Sequence, residues 1–411
     1  MTDTPLADPV HRTALSTDAR AQITFFRQSL NDSGGFDLLD HAGAAIPGHP
    51  QELHQTTRLV HSYALAHAWG APDCAAIIDA GMRALWERHR DTEQGGYVWA
   101  LSGVEWADET KLAYGHVFVL LAASSALMIG HEDALRLFED IEAVIERHFW
   151  DEATGRLREE YQRDWTPFST YRGMNANMHG AEAMLAAYEA TGREEFLHRA
   201  GRILDFFTAR MAPANGWRIP EHYTEDWQPD PDYAGNPMFR PAGTTPGHAL
   251  EFARLVLHHW DLSGRTDPTA SERARALTQT ALNDAWLPEG GLAYTLGPDG
   301  RPQRTDRYWW PVTEGLGALA ALQKVAPRTE DADWYLRLWD FAQAHLIDHA
   351  RGGWFPDIGP DNAPRQEQFI GKPDIYHALQ AGLYALCPGI SHHINGLSTI
   401  SEGLDGYGAG R

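Results

Sequence analysis

The sequence predicts an all-α fold, an (α/α)6 barrel in which six inner helices are surrounded by six outer helices and joined by short β-hairpin-like turns. Three observations support this fold. A glycine turn followed by a short alternating stretch occurs six times, an amphipathic helix precedes each turn, and a more apolar helix follows it. Self-similarity at intervals of roughly 60 to 75 residues is typical of a repeated supersecondary unit. We expect residues 1–411 to form a single barrel domain.

The glycine turns are the clearest copies of the repeat. Paired glycines supply the positive φ angles of a tight turn, and the residues after them alternate like a short strand. The six copies are GGFDLL at Gly34, GGYVWAL at Gly95, GRLREEY at Gly155, NGWRIPEHY at Asn215, GGLAYTL at Gly290 and GGWFPDI at Gly352.

The helix before each turn is predicted to lie on the outside of the barrel. In ALRLFEDIEAVIERHF, before Gly155, the apolar residues Leu137, Phe138, Ile141 and Val144 form one stripe and charged residues lie opposite. Comparable helices are predicted near 17–30, 74–90, 194–210, 268–285 and 331–348.

The helix after each turn is predicted to line the inside, because it is apolar on all faces. These segments run near 54–69, 111–129, 175–191, 246–261, 311–325 and 374–387. An open α-solenoid also repeats helix pairs. Six units favour the closed barrel.

Three flanking segments fit the repeat less well. Residues 1–15 are expected to be a surface extension. The loop 217–243, rich in Pro, Asp and Tyr, has the length of a functional lid. The tail after Pro388 is expected to be irregular and exposed, although its paired His392 and His393 also suggest a metal site.

Composition excludes several classes of function. The chain has 34 basic and 56 acidic residues, a formal net charge of −22, which argues against nucleic acid and anionic membranes as partners. The most apolar run, 117–129, is too short to span a bilayer. Cys74 and Cys387 lie in apolar helical contexts, and the N-terminus lacks a signal-peptide pattern, so we expect a cytoplasmic protein.

A closed barrel brings equivalent positions of all repeats together at one end. Polar residues near the start of each inner helix should therefore converge on one pocket, and buried polar clusters suggest function. These candidates are Arg58 from the first inner helix, Tyr114 and His116 from the second, Asn175 and His179 from the third, His248 and Glu251 from the fourth, Trp310 and Glu314 from the fifth, and His377 from the sixth.

Each candidate also has an ordinary structural interpretation. His116 and His179 have the features of core histidines bonded to a carbonyl. Tyr114 and Trp310 could be plain packing, and Arg58 could pair with an acidic neighbour. The convergence of six positions, rather than any single residue, favours a site.

The segment 240–260 carries the most specific signal. Thr245 can cap a helix that begins at Pro246, which puts His248 in the first turn and Glu251 on the same face. The positive end of the helix disfavours an imidazolium, so His248 is expected to be a neutral general base with Glu251 beside it.

With Asp374 as the cap of the sixth inner helix, His377 takes the position that His248 has in the fourth. Two such histidines in one pocket suit proton transfer beside a carbonyl through an enediol. The pair Glu251 and Glu314 leaves an inverting glycoside hydrolase open as an alternative.

Local motifs for metals and cofactors are absent from the sequence. It has no HExxH, paired CxxC or EF-hand loop, and no Walker loop, GxGxxG after a strand or GxSxG elbow. We therefore expect neither a metal nor a cofactor.

Four segments resemble the N-acylglucosamine 2-epimerase family. They are YRGMNANMHGAEA at 171–183, GTTPGHALEFARL at 243–255, WWPVTEG at 309–315 and DIYHALQAGLY at 374–384. The resemblance extends from about Leu53 to Leu386. It implies an (α/α)6 barrel that acts on sugars without a redox cofactor. The run LHQTTRLVHSYALA at 53–66 is most similar to the aldose–ketose isomerase branch, which interconverts D-mannose with D-fructose and can extend to D-lyxose and D-xylulose.

The resemblance also implies roles for the matching residues. His377 would move the proton between C2 and C1, and His248 would assist ring opening as the second acid/base. The residues that would hold the sugar hydroxyls and orient the histidines are Arg58, Tyr114, Asn175, His179, Glu251, Trp310 and Glu314.

Several alternatives remain within and beyond the family. A 2-epimerase of the N-acylglucosamine or cellobiose type needs the same histidines, and a sugar-binding module without turnover is also open. Sulfoquinovose isomerases carry glutamine where this chain has Pro373, which favours a neutral sugar. The expected partner is a free monosaccharide, and the expected assembly is a monomer or homodimer.

Overall fold

Twelve long helices alternate between an outer and an inner layer of the barrel. The computed structural model describes residues 4–233, 235 and 240–400. Its helices are α1 (Pro9–Phe26), α2 (Leu53–Ala68), α3 (Ala75–Ala84), α4 (Ala113–Met128), α5 (Ala134–Val144), α6 (Met174–Thr191), α7 (Glu194–Leu204), the short α8 (Ala212–Ala214), α9 (Pro246–Leu262), α10 (Ala270–Ala285), α11 (Trp309–Val325), α12 (Thr329–Phe341), α13 (Tyr376–Leu386) and α14 (His393–Ser398).

The inner layer consists of α2, α4, α6, α9, α11 and α13. Each packs against the next, and α13 also packs against α2, so the ring closes. Apolar, almost fully buried faces such as that of α4 explain why these helices line the interior. The predicted (α/α)6 barrel is confirmed, and the open solenoid is excluded.

Four outer helices end in a wider π-helical turn before the glycine turn. These turns follow α3, α5, α7 and α12 and cover Leu85–His89, Ile145–Phe149, Asp205–Met211 and Ala342–Leu346. With these turns included, the four outer helices end within a few residues of the ends that the periodicity predicted.

The connecting strands are short and antiparallel. They are β1 (Gln51–Glu52), β2 (Ala100–Ser102), β3 (Glu105–Asp108), β4 (Lys111–Leu112), β5 (Trp150–Asp151), β6 (Arg156–Leu157), β7 (Glu160–Tyr161), β8 (Arg172–Gly173), β9 (His222–Tyr223), β10 (Thr295–Leu296), β11 (Pro302–Arg304), β12 (Arg307–Tyr308) and β13 (Asp357–Ile358).

One kind of strand pairing fixes the start of every inner helix. The residues just before each inner helix pair with the strand segment of the following repeat, and the sixth repeat pairs back to the first. The six pairs are Gln51 with Leu101, Lys111 with Tyr161, Arg172 with Tyr223, Thr244 with Leu296, Arg307 with Ile358, and Lys372 with Leu39. The leading ends of all six inner helices are therefore held at one rim of the barrel.

The first outer helix begins earlier than predicted. It starts at Pro9 rather than near 17, because Asp8 accepts a hydrogen bond from the Val10 amide at 2.9 Å and Pro9 occupies the first helical position. Residues 9–15 are thus part of the barrel wall and not a surface extension. Residues 1–3 lie outside the described residues.

The segment after Pro388 is also more ordered than predicted. It forms α14, and the buried His393 stacks on Tyr384 of α13 with ring centroids 3.8 Å apart. The expected irregular exposed tail is wrong for residues 393–398. Residues 401–411 lie outside the described residues, as do residues 234 and 236–239 of the predicted lid.

None of the helices among the described residues combines the length and the apolar character needed to cross a membrane. The 16-residue α4, which contains most of the apolar run, instead packs inside the barrel.

We expect Gly352→Ala to destabilise the barrel where its last repeat meets its first. Gly352 has φ +89°, and a Cβ there would lie 2.4 Å from the carbonyl oxygen of Ala21 in α1. Gly130→Ala is the matched control, because Gly130 has φ +78° but a Cβ added there would meet nothing within 4 Å. Overpacking adds to backbone strain, so G352A should lose about 1–3 kcal/mol more unfolding free energy than G130A in denaturant titrations. Equal losses would contradict the clash.

Candidate active site

His248 lies in the first turn of α9, as predicted, with Pro246 at the first helical position. Its Nδ1 lies 3.0 Å from both carboxylate oxygens of Glu221, which also accepts a hydrogen bond from the Thr245 amide at 3.0 Å. The predicted partner, Glu251, forms no hydrogen bond with His248. The i+3 spacing places Glu251 one turn deeper, where other residues surround it.

His377 is held in the same way by a different carboxylate. Its Nδ1 lies 2.8 Å from Oε1 of Glu314 on the neighbouring helix α11. Helix α13 begins at Tyr376, whose amide donates to the side chain of Asp374 at 3.1 Å. His377 is therefore the second residue of its helix and His248 the third, so the predicted identical position is wrong by one residue.

Both histidines lie beside one indole, that of Trp310. The ring centroid of Trp310 lies 5.0 Å from that of His248 and 5.9 Å from that of His377. Neither Nε2 atom forms a hydrogen bond to the described residues. When Nδ1 donates to a carboxylate, the lone pair of a neutral imidazole lies on Nε2, so both rings present a base toward the same region.

Burial lowers the pKa of the His377 imidazole to about 3, and the charge of Arg58 acts in the same direction. Burial raises the pKa of the Glu314 carboxyl to about 7, against the opposing charge of Arg254. His377 is thus neutral at physiological pH, and its hydrogen-bond partner titrates close to neutrality.

Arg58 forms a second buried cluster at the rim. Its guanidinium donates to Asp374 at 2.6 Å and to the Tyr114 hydroxyl at 2.8 Å. It also stacks over Phe118 and Tyr376, with its carbon 4.6 and 4.8 Å from the ring centroids. The ion pair of the structural interpretation is therefore present, with Asp374 as the acidic partner. The rings of Phe118 and Tyr376 also fix the guanidinium in one orientation.

His179 connects this cluster to the acidic residues below it. Its ring packs on Tyr114, with centroids 5.4 Å apart, and its Nδ1 lies 3.3 Å from Glu182 and 3.4 Å from Glu251. Burial lowers the pKa of the His179 imidazole to about 4. The ring is therefore neutral and held between aromatic and acidic neighbours.

Glu251 is fully buried, and neither of its carboxylate oxygens forms a hydrogen bond to the described residues. Burial and the nearby Glu314 raise the pKa of the Glu251 carboxyl well above its usual range. Arg254 lies 3.7 Å from Glu251, 3.1 Å from Glu182 and 3.5 Å from Glu314. One guanidinium thus serves three carboxyl groups in the middle of the barrel.

Within the described ranges of the chain, two groups of side chains have the spacing of metal ligands. They are His179 with Glu182 and Glu251, and Glu251 with Glu314 and His377, each with donor atoms within 4.8 Å of one another. Arg254 contacts the carboxyl groups of both sets and already supplies a positive charge there. The absence of a metal therefore stays a prediction. A search of the sequence for linear metal-binding motifs does not detect side chains that the fold brings together from separate helices.

Two candidates behave differently from the rest. Asn175 is the second residue of α6, and its buried Oδ1 has no hydrogen-bond partner among the described residues, so no hydrogen bond from this atom links it to the cluster. His116 is a structural residue, because its Nδ1 bonds the Leu112 carbonyl at 2.7 Å and its Nε2 accepts from the Tyr97 amide at 3.0 Å. The other eight candidates form one connected set.

Sequence reasoning missed four residues that organise the site: Glu221, Glu182, Arg254 and Tyr376. Glu182 and Arg254 are charged residues inside two apolar inner helices, a signal that was readable. The Tyr376 hydroxyl bonds Glu182. Glu221 lies in an irregular segment, where no periodic pattern marks it.

Comparison with known proteins gives consistent results. Residues 34–381 match the family described as N-acylglucosamine 2-epimerase (GlcNAc 2-epimerase). A D-mannose isomerase from Thermobifida fusca is 39% identical over 403 residues, covering 96% of this chain and 98% of that protein. A D-mannose isomerase from Pseudomonas cannabina pv. alisalensis is 38% identical over 393 residues, covering 93% and 94%.

Solved structures agree with the fold. A D-mannose isomerase crystal structure superposes with a TM-score of 0.86 at 33% identity, covering 91% of this chain and 97% of that one. A cellobiose 2-epimerase from Bacillus thermoamylovorans B4167 superposes with a TM-score of 0.83 at 18% identity, covering 92% and 99%. The second likeness supports the barrel alone.

Proposed function

Because the chain belongs to the N-acylglucosamine 2-epimerase family, we propose that it is an aldose–ketose isomerase that interconverts D-mannose and D-fructose. The observation that carries the proposal is the pair of imidazoles beside Trp310, His248 and His377. Each is held by a buried glutamate, and neither Nε2 is hydrogen-bonded to a described residue. The near-full-length likeness to D-mannose isomerases supports the choice of sugar.

The proposed reaction is a proton transfer with no net oxidation. Nε2 of His377 takes the proton from C2 of the open-chain aldose, and the electron pair of that bond forms the C1=C2 bond of an enediol as O1 gains a proton. The same nitrogen then returns the proton to C1 while O2 loses its proton, which leaves the ketone at C2. His248 opens the sugar ring and serves as the second acid/base.

The remaining residues have supporting roles in this proposal. The charge of Arg58 favours the negative oxygen that develops in the enediol step. Trp310 packs against the sugar. Glu314 orients His377 and fixes its tautomer. The hydroxyl groups of the sugar are held by Tyr114, Asn175, His179 and Glu251. A cytoplasmic setting is supported by the two free, buried thiols of Cys74 and Cys387. Monomer or homodimer stays a prediction.

The test is incubation with D-mannose in heavy water, followed by chromatography and NMR of the products. We expect D-fructose to form, with less than one deuterium per turnover at C1 where the histidine transfers the proton directly. D-glucose as the main product, with deuterium at C2, would identify a 2-epimerase instead. No product would contradict both activities.

We expect the rate to fall as the pH drops through about 7. The pKa of Glu314 lies at about 7, and its protonated carboxyl donates to Nδ1 of His377, which moves the ring proton to Nε2 and removes the base. The deprotonated pair is therefore the active form, and kcat/KM should rise through about pH 7 to a plateau.

The matched variant for this pH dependence is Glu314→Gln. The amide oxygen of glutamine still accepts a hydrogen bond from Nδ1–H but does not take up a proton. E314Q should therefore be slower than the parent, and its kcat/KM should no longer fall as the pH drops through about 7. Measurement of kcat/KM from pH 5 to 9 for both proteins provides the comparison. The same fall of kcat/KM near pH 7 in E314Q would show that a group other than Glu314 controls the pH dependence.

A further inference from the structure

A cavity on the outside of the barrel lies far from the rim that holds the histidines. It has a volume of about 620 Å³ and is bounded by α7, the C-terminal half of α9 and the start of α10. His248 begins α9, whereas Val256, His259 and Trp260 of the same helix line this cavity. A rise of about 1.5 Å per residue puts Trp260 roughly 18 Å along the helix from His248.

The lining of this cavity is basic although the chain as a whole is strongly acidic. It contains four arginines, Arg156, Arg202, Arg210 and Arg273, and two histidines, His198 and His259, against the carboxylates Asp205 and Asp267. On a chain with a formal net charge of −22, such a cluster is a local exception.

Three of the four arginines are already neutralised. Arg210 pairs with Asp205 at 2.7 Å, Arg273 pairs with Asp267 at 2.9 Å, and Arg202 binds the side chain of Glu152. Arg156 forms no ion pair within the described part of the chain, so its charge is in excess.

Arg156 is nevertheless held firmly in position. Its guanidinium lies over the rings of Phe206 and Trp227, with its carbon 3.8 and 4.5 Å from their centroids. Burial and the neighbouring Arg210 lower the pKa of Arg156 to about 10, so it remains charged at neutral pH. Its buried Nε has no hydrogen-bond acceptor among the described residues. A fixed cation without a counter-ion on the wall of a cavity is arranged to receive an anion.

Two further donors in the wall lack acceptors in the described part of the chain. They are Nε of Arg273 and Nε1 of Trp260, both buried. Unsatisfied buried donors are uncommon and indicate a missing partner. The phosphate group, a dianion with three acceptor oxygens, is matched to several arginines at once.

We propose that this cavity binds a phosphorylated monosaccharide, with the phosphate at Arg156 and the sugar along Trp260. The volume favours a sugar phosphate over a bare phosphate ion, because cavities of about 300–1,000 Å³ suit small organic ligands. The indole of Trp260 is half-buried and has the Arg265 guanidinium over its ring at 5.2 Å from the centroid, so the sugar contacts the ring surface that Arg265 leaves uncovered. The proposal does not depend on the activity assigned to the rim.

The probe is sorbitol 6-phosphate, which has no carbonyl group and cannot be isomerised. Isothermal titration of the full chain should show binding of sorbitol 6-phosphate, weaker binding of inorganic phosphate and none of sorbitol. Arg156→Gln should weaken the binding of sorbitol 6-phosphate by at least about tenfold, the usual scale for losing a charge-assisted hydrogen bond.

Two further variants keep the test decisive. Arg136→Gln is the matched control, since Arg136 also stacks on an aromatic ring, Trp86, at 4.1 Å but lies outside the cavity, and it should leave binding unchanged. Arg210→Gln removes a cation whose side chain is 68% exposed, so it should fold normally and weaken binding severalfold. All three variants should keep the parent rate on D-mannose.

Several results would overturn the proposal. One is that the parent chain does not bind sorbitol 6-phosphate. Another is that the R156Q and R210Q variants both bind it as tightly as the parent chain does. Equal affinities for inorganic phosphate and sorbitol 6-phosphate would overturn the assignment of a sugar ligand.

Discussion

Replacing His377 by alanine is expected to lower kcat on D-mannose by at least about a hundredfold, the scale of losing a general acid/base group. The physical reason is an Nε2 atom without a partner in the described part of the chain, on a ring that burial keeps neutral and Glu314 keeps oriented. His179 is also held through Nδ1, between Glu182 and Glu251, but its ring packs on Tyr114 in the cluster around Arg58 rather than beside Trp310.

His248→Ala is expected to lower kcat by a similar factor, because His248 is the second imidazole beside Trp310 and Glu221 holds its Nδ1. His67→Ala is the matched control, since His67 is exposed near the end of α2 and should leave kcat unchanged. Steady-state kinetics with D-mannose provide the measurement, and circular dichroism checks the fold. A fall of less than tenfold for H377A would remove His377 from the proposed mechanism.

Replacing Arg254 by methionine is expected to cost about 3–5 kcal/mol of unfolding free energy, the scale of breaking a buried ion pair. Arg254 is the cation that Glu182, Glu251 and Glu314 share in the barrel interior. Methionine retains much of the side-chain volume, so the loss reports the charge rather than a cavity. Urea unfolding followed by tryptophan fluorescence provides the measurement.

Glu251→Gln tests the same network from the opposite side. Glu251 makes no hydrogen bond to the described residues, and its strongly raised pKa means that folding favours the protonated carboxyl, so the neutral glutamine should leave stability unchanged or raise it. In the E251Q and R254M double variant, the loss should be smaller than in R254M alone, because one fewer acid is left uncompensated. A loss below about 1 kcal/mol for R254M would mean that water, rather than Arg254, neutralises the acids.

The barrel could be predicted from sequence because its signals are periodic. Glycine turns, amphipathic outer helices and apolar inner helices repeat six times, and each copy strengthens the others. The start of α1 was missed although Asp8 and Pro9 form a readable cap. The ordered α14 was missed because Gly and Ser in the tail suggest irregular structure, whereas the stacking of His393 on Tyr384 is a tertiary contact.

The site could be predicted only in part, for a physical reason. Helical position placed His248 and His377 at one rim, because every inner helix starts there. Partners could not be assigned in the same way. The expected pair of His248 and Glu251 followed from spacing within one helix, but the true partner, Glu221, comes from a preceding irregular segment. Contacts between repeats depend on the radius and tilt of the barrel, which local patterns do not encode.

Ring closure has a consequence for the order of the repeats. The pairing of Lys372 with Leu39 joins the last repeat to the first in the same way that every other pair of neighbours is joined. Thr4 and Ile400, at the two ends of the described chain, line the same groove. The architecture therefore has no obligatory first unit: linking these ends and cutting the backbone in an exposed turn such as that at Gly103 should yield a circular permutant with all twelve long helices in place.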